Sequence, residues 1–256
     1  MPDLGHVPPG WTPPAGRDDF SRRVERVVDE TERQQLLSAI RQRHAVRQYT
    51  NQPIPEDIRA QLRYAVTTAN NASGLAIQVF FDEPDGFSGL MAHYGRFRGV
   101  VNYLAMVGTT GTAWDQACGY WGQHIVLLAQ TLGLNSCWVG QTYSKSKNQA
   151  VVTTDERLRV VVALGYGTVP GKPHKPKPLD KLGEVAGGGP WPSWFRDGVE
   201  AASLAPSGLN RQGYTFILDG DQISTRTNPG SYAAIDLGIA KYHFELGAGP
   251  TGWHWA

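Results

Sequence analysis

Apolar positions set the first divisions of the chain. Leu36, Leu37 and Ile40 recur at helical spacing from about Glu32, and the basic residues Arg41, Arg43, His44 and Arg47 follow them. Pro55 suits the first turn of a second helix, whose apolar face is Ile58, Leu62, Ala65, Val66 and Ala69. Residues 76–81 (AIQVFF) predict a strand, closed by the turn residues Glu-Pro-Asp-Gly at 83–86. Residues 100–108 (VVNYLAMVG) are apolar almost throughout, which predicts a strand covered on both faces. The longest helical pattern covers 114–132, with Ile125, Leu128, Ala129 and Leu132 on one stripe and Gly133 as its stop. Residues 135–141 (NSCWVGQ) predict a short buried strand, and 158–166 (LRVVVALGY) give the strongest strand pattern. Prolines hold 172–178 (KPHKPKP) extended, and the glycine-rich stretch 184–190 is the best candidate linker. Beyond it, 191–205 read as a helix, and 214–218 with 222–225 as a hairpin around Asp219-Gly220. Residues 235–246 return to a helix with Ile239, Tyr242, His243 and Leu246 on one side. Helices alternating with strands, plus a hairpin, predict a mixed α/β or α+β sandwich of helices on a sheet.

Two stretches echo each other. AVTTANNASGL (65–75) precedes the strand AIQVFF, and AASLAPSGL (201–209) precedes YTFIL (214–218). Each is a helix, a Ser-Gly-Leu turn and an aromatic strand, and each is followed by a longer helix ending in Leu-Gly. This is either an internal duplication or a chance likeness of two helix-turn-strand units. The expected layout is an extended Pro- and Gly-rich arm (1–30), a first half (31–186) and a shorter second half (190–256), the halves forming one compact unit.

Composition narrows the function classes. Lys and Arg total 24 against 23 Asp and Glu in 256 residues, so no excess charge suits a nucleic-acid backbone or an anionic membrane. No apolar run approaches the ~20 residues of a membrane span, and residues 1–10 lack the pattern of a secretory leader. The two cysteines are too few for a disulfide scaffold or a zinc site, which points to the cytoplasm and to no metal.

Four segments carry candidate chemistry. Arg43 and Arg47, four apart with His44 between them, would together clamp a phosphate if a helix end held them one turn apart. Taken alone, such a pair is more often a solvated basic face. Residues 205–212 (APSGLNRQ) join a tight turn to short hydrogen-bonding side chains, suited to the polar edge of a heterocycle or to an ordinary helix–strand connection. Residues 133–141 end a strand in Trp138, Val139, Gly140 and Gln141, where small residues let backbone N–H groups approach a planar ligand. Cys137 there reads as a small buried hydrophobe. His174, Lys175 and Lys177 form a second basic site, useful only if it folds back onto the first. No side chain reads as a catalytic acid or base: His124 and His243 lie on apolar helices, and Asp115 and Asp236 near helix starts suit the helix dipole.

Together the four segments resemble the nitroreductase family of FMN enzymes, over residues 36–249. Residues 43–49 resemble its phosphate string R-[HS]-S-x-[RK]-x-[FY], 205–212 its flavin-ring turn A-P-S-x-x-N-x-Q, and 133–140 its G-L-x-x-C-W-[IV]-G strand. The chain looks most like the branch in which the two halves of the usual homodimer are joined in one polypeptide. The resemblance implies an α+β fold, a central mostly antiparallel sheet flanked by helices and internally duplicated. It also implies FMN held by Arg43, His44, Arg47, His174 and Lys175 at the phosphate. Trp138, Val139, Gly140, Gln141, Pro206, Ser207 and Asn210 would lie about the ring. NADPH or NADH would reduce the flavin, and an electron-poor small molecule would then take its place, on a monomer or a homodimer. A flavin-binding or sensing protein without turnover, and a flavin-dependent dehydrogenase of a natural product, remain alternatives. Family sites draw the phosphate string from one subunit and the ring turn from the other. Here the first half carries the string and the second the intact turn, which implies one complete site per chain. Two positions depart from the pattern: Ala45 replaces the common Ser, removing one phosphate hydrogen bond, and Gly213-Tyr214 replaces Pro-Trp.

Overall fold

The computed structural model describes residues 29–256, so the expected arm lies outside the described residues except for its last two, Asp29 and Glu30, which cap and open a helix. Helix α1 (Glu30–Gln42) starts where the Asp29 carboxylate accepts the Glu32 N–H at 2.8 Å. Helix α2 (Glu56–Ser73) begins one residue after Pro55, which stands at the cap and not inside the first turn, and ends on Gly74. Strand β1 (Gln78–Phe80) is shorter than its apolar run, and β2 (Asn102–Thr109) follows a one-turn helix, α3 (Leu90–Tyr94), that the apolar pattern misses. Helix α4 (Thr112–Thr131) stops because Gly133 takes φ 82°, which lets the Leu134 N–H reach Ala129 O at 2.9 Å. Strands β3 (Asn135–Val139) and β4 (Glu156–Gly165) complete an antiparallel sheet of order β1-β2-β4-β3.

That sheet is buried on both faces, as the unbroken apolar runs predict. Leu104, Met106, Val160, Val162 and Leu164 face one cluster with the helices. Tyr103, Ala105, Val107, Val161 and Ala163 face a second, with Phe87, Ala92, Phe97 and Tyr143. The alternation is the period-2 pleat splitting one sequence between two cores.

The second sheet has order β5-β6-β7-β8. Its hairpin, β6 (Tyr214–Asp219) and β7 (Gln222–Thr227), turns at Gly220 as expected. The stretch expected as a linker differs. Glu184 and Val185 belong to β5 (Gly183–Val185), a parallel partner of β6, and the connection starts only after them, with the glycines 187–189 all at positive φ. Tertiary pairing supplied the hydrogen bonds that so short a segment does not signal. Strand β8 (His254–Trp255), at the chain end, was not expected either. Helix α5 (Ser193–Ser203) and helix α6 (Ala233–Ala248) complete the fold, which is α+β with helices flanking mostly antiparallel strands.

Helices α4 and α6 pack along each other and are buried almost all round, so neither has a polar face. Their crossing is glycine on backbone. A Cβ on Gly119 would lie 2.0 Å from Ile235 O, and one on Gly238 would lie 2.0 Å from Gln116 O. The contact is reciprocal: Gly119 and Gly238, Gln116 and Ile235, Tyr120 and Ile239 exchange roles at one constant interval along the chain.

At that same interval, His124 and His243 also correspond. His124 Nδ1 meets Tyr242 Oη at 2.7 Å. His243 Nδ1 lies 3.0 Å from Ala201 O, a pure acceptor, so it carries the proton and Nε2 accepts from Gln123 Nε2 at 2.8 Å. Burial pushes His124 down to about 4 and His243 to about 3. Both are neutral in the fold, as their reading as core histidines requires. A folded value below the unfolded one gives stability that is whole above pH 6.5 and lost as pH falls towards 4. Denaturant unfolding should therefore show stability falling from pH 7 to pH 4. The fall should be shallower in His243→Gln, which cannot charge; an unchanged slope would assign the loss to other groups.

Candidate functional site

The phosphate string is not helical. α1 ends at Gln42, and Arg43 leaves it with φ −72° and ψ 120°. The expected stacking of Arg43 and Arg47 one helical turn apart is therefore corrected: Ala45 and Gln48 instead pair edgewise with Ser136 and Arg98, and Tyr49 with Gly167. Bridge partners distant in sequence won over the helical repeat. Arg43 is 4% exposed, and its Nε and Nη1 find no hydrogen-bond partner among the described residues. Burial pushes its guanidinium down to about 10, so it stays charged at neutral pH. His44 beside it is half-buried and held below its usual range, by burial first and by the Arg43 charge second. Arg47 is exposed, with its guanidinium carbon 5.9 Å from the centre of the Phe97 ring.

The second basic segment does fold back. Gly171, at φ 80°, runs so close that a Cβ there would stand 2.9 Å from that of His44. Three residues on, His174 Nε2 donates to Ser203 O at 3.0 Å, at the end of α5. The carbonyl of Lys175 accepts from Asn210 Nδ2 at 3.0 Å and Gln212 Nε2 at 3.1 Å. One irregular segment thus ties the phosphate string to the turn at 205–212.

The turn is organised by Gln212, a residue of the motif that sequence reasoning did not single out. It is 1% exposed. Its N–H donates to Ser207 Oγ at 2.9 Å, its side chain bonds Lys175 O, Asn210 Oδ1 and the Lys177 N–H, and its carbonyl accepts from Lys177 Nζ at 2.9 Å. Ser207 and Asn210 accordingly spend polar atoms on the turn itself. Leu209 and Asn210 both take left-handed φ, 54° and 55°, and Leu209 stands 87% exposed. For Leu this conformation is costly, and such strain concentrates at functional turns. Pro206 lies half-buried beside it.

At the end of β3 the side chains divide. Trp138 turns towards α4, donating from Nε1 to Gln123 Oε1 at 2.9 Å, and Val139 is buried in the second core. Gly140 and the exposed Gln141 leave backbone at the surface. The Gly140 carbonyl accepts from Tyr232 Oη at 2.9 Å, and the Gly208 N–H donates to Asp236. Asp236 is in the first turn of α6, where the dipole reading placed it, but its bond to Gly208 was not foreseen. Nothing near Tyr232 in sequence marks it, because its partner comes from the other sheet.

These residues fit a phosphate-bearing planar cofactor. Arg43 supplies a buried cation with donors to spare, His44 and Arg47 adjoin it, and a rigid polar turn faces the glycine end of β3.

The family model described as "Putative TM nitroreductase" matches residues 35–248, and the chain belongs to that nitroreductase family. Among solved structures, a putative nitroreductase from Thermotoga maritima shares the fold at TM-score 0.59 and 21% identity, over 82% of each chain. A putative nitroreductase in complex with FMN from Desulfovibrio desulfuricans has TM-score 0.46 and 22% identity, over 57% of this chain and 92% of its own. No curated protein matches the sequence. No described helix is long and apolar enough to cross a membrane.

Proposed function

We propose that this protein is an FMN-dependent oxidoreductase of nitroreductase type, passing reducing equivalents from NAD(P)H to an electron-poor small molecule. The observation that carries the reading is Arg43. A buried guanidinium with two partnerless nitrogens is costly, and an incoming phosphate would supply the missing acceptors. His44 and Arg47 would share that phosphate, with His174 and Lys175 brought near by the segment at 171–177. Pro206, Ser207 and Asn210 would line the ring, and backbone N–H groups at Gly140 and Gln141 would meet its polar edge. When bound, FMN supplies the redox chemistry, and the protein supplies binding, orientation and electrostatics.

Purified protein should be yellow, or become so with added FMN, and should bleach under NADPH or NADH without oxygen. Protein that stays colourless and rejects FMN would overturn the reading; a flavin that neither nicotinamide reduces would leave only a binding role.

One FMN per chain is expected. The reciprocal crossing of α4 and α6 supports two halves joined in one polypeptide, yet the first half's turn is filled. The Trp114 ring lies 3.3 Å from where a Gly74 Cβ would be, Asp115 is paired with Arg159 at 2.6 Å, and the Asn70 side chain is bonded to the Ile77 backbone. Titration by absorbance checks the ratio, and a value near two would refute it.

A further inference from the structure

The first turn of α6 touches both sides of the candidate site. Tyr232, which caps the helix, donates to Gly140 O at 2.9 Å. One turn on, Asp236 accepts the Gly208 N–H on both carboxylate oxygens, each at 3.0 Å. The two glycines admit this approach. A Cβ on Gly140 would stand 2.5 Å from Tyr232 Cζ, and one on Gly208 would stand 3.5 Å from Asp236 Oδ2 and 4.0 Å from Tyr232 Cδ2. Gly140 follows a strand of the first sheet, whereas Gly208 precedes a strand of the second. Among the described residues no strand pairing joins the two sheets, so the spacing of these two backbone segments rests on helix packing and on what bridges them.

We propose that Tyr232 and Asp236 are positioning residues, a clasp in α6 that holds the strand end at Gly140 and the turn at Gly208 in register as two sides of one ligand site. That the ligand is FMN rests on the function proposed above; the clasp itself does not.

Asp236 gives the clasp a pH handle. The groups facing it are the Gly208 N–H and Arg211 from the turn, Tyr214 from β6, and Tyr232 on its own helix. Burial pushes the carboxyl up to about 6, against the pull of Gly208 and Arg211, and Asp236 in turn helps keep Tyr214 neutral. Ionised, Asp236 makes a charge-assisted bond to Gly208; protonated, it makes a weaker neutral one. The clasp therefore tightens as pH rises through 6. Global stability runs the other way. A folded value above the unfolded 3.8 means that stability is lost as pH climbs between them. The charged form strengthens the turn at a cost to the whole fold.

The test compares wild type with Asp236→Asn and Tyr232→Phe, both near-isosteric. Asparagine can still accept the Gly208 N–H but cannot ionise, and phenylalanine keeps the ring but not the hydroxyl. Hydrogen exchange is read on the apoproteins, and FMN affinity from pH 5 to 8. The ratio of affinities, wild type over Asp236→Asn, cancels titrations common to both, including those of the FMN phosphate and His44. It should be near one at pH 5 and rise to about tenfold above pH 7, the scale of one charge-assisted hydrogen bond. Apoprotein amides should exchange faster at 207–212 in Asp236→Asn and at 140–142 in Tyr232→Phe. A flat ratio with unchanged exchange overturns the clasp while leaving FMN binding standing. Faster exchange in variants of a protein that never binds FMN supports the clasp and overturns the flavin reading.

Discussion

Arg43→Met is expected to weaken FMN binding by roughly 1.5–3 kcal/mol, the scale of hydrogen bonds to a charged group. It is also expected to raise the melting temperature of the apoprotein. The two effects oppose because the same guanidinium serves one state and burdens the other. Without ligand, Arg43 is buried, its Nε and Nη1 are unpaired, and no ion pair to it exists among the described residues. Burial already pushes it down to about 10, so the fold itself resists the charge. Methionine keeps the length of the stem and removes the orphaned donors, which favours the apo fold. With a phosphate present, those donors gain partners in a site of low dielectric, and their loss falls wholly on affinity. Isothermal titration and thermal melts measure the two sides. An apoprotein that melts lower, with FMN affinity unchanged, would show that Arg43 is a structural residue and that the phosphate sits elsewhere.

Gly238→Ala and Gly119→Ala should each cost at least about 3 kcal/mol, above the usual range for overpacking. In an exposed helix the same change gains about 1 kcal/mol from propensity, so the sign itself is informative. The gain loses here because a Cβ would lie 2.0 Å from a carbonyl oxygen of the facing helix, Gln116 O in one case and Ile235 O in the other. Backbone has no rotamer to yield, so α4 and α6 must move apart. That separation would carry with it the bonds of Gln123 to His243 and of His124 to Tyr242. Because the two glycines meet at one crossing, the double variant should cost less than the sum of the singles. Denaturant midpoints decide it; two additive, small losses would mean that the helices relax apart freely.

Elements with a long or unmixed pattern were legible in the sequence. The apolar runs at 100–108 and 158–166 became central strands, because burial on both faces demands apolar residues throughout. The turn at 205–212 was legible as a unit because its geometry is local: Ser207, Asn210 and Gln212 bond within six residues of one another. Short edge strands were not. β5 and β8 are 3 and 2 residues long, and their pairing with β6 and β7 is what makes them strands.

The site divides in the same way. Sequence by itself marked which residues have the chemistry for a phosphate and a ring, since charge, small size and turn chemistry are properties of residues. Arg43, His44, Arg47, Gly140, Ser207 and Asn210 needed no coordinates to be named. Only the tertiary structure decided that Arg43 is buried without partners, that Trp138 serves the core, and that Gln212, Tyr232 and Asp236 hold the parts together. The reason is physical. A residue's chemistry is written in its own side chain, but its burial and its partners are set by distant segments that packing brings beside it, and no local pattern records their approach.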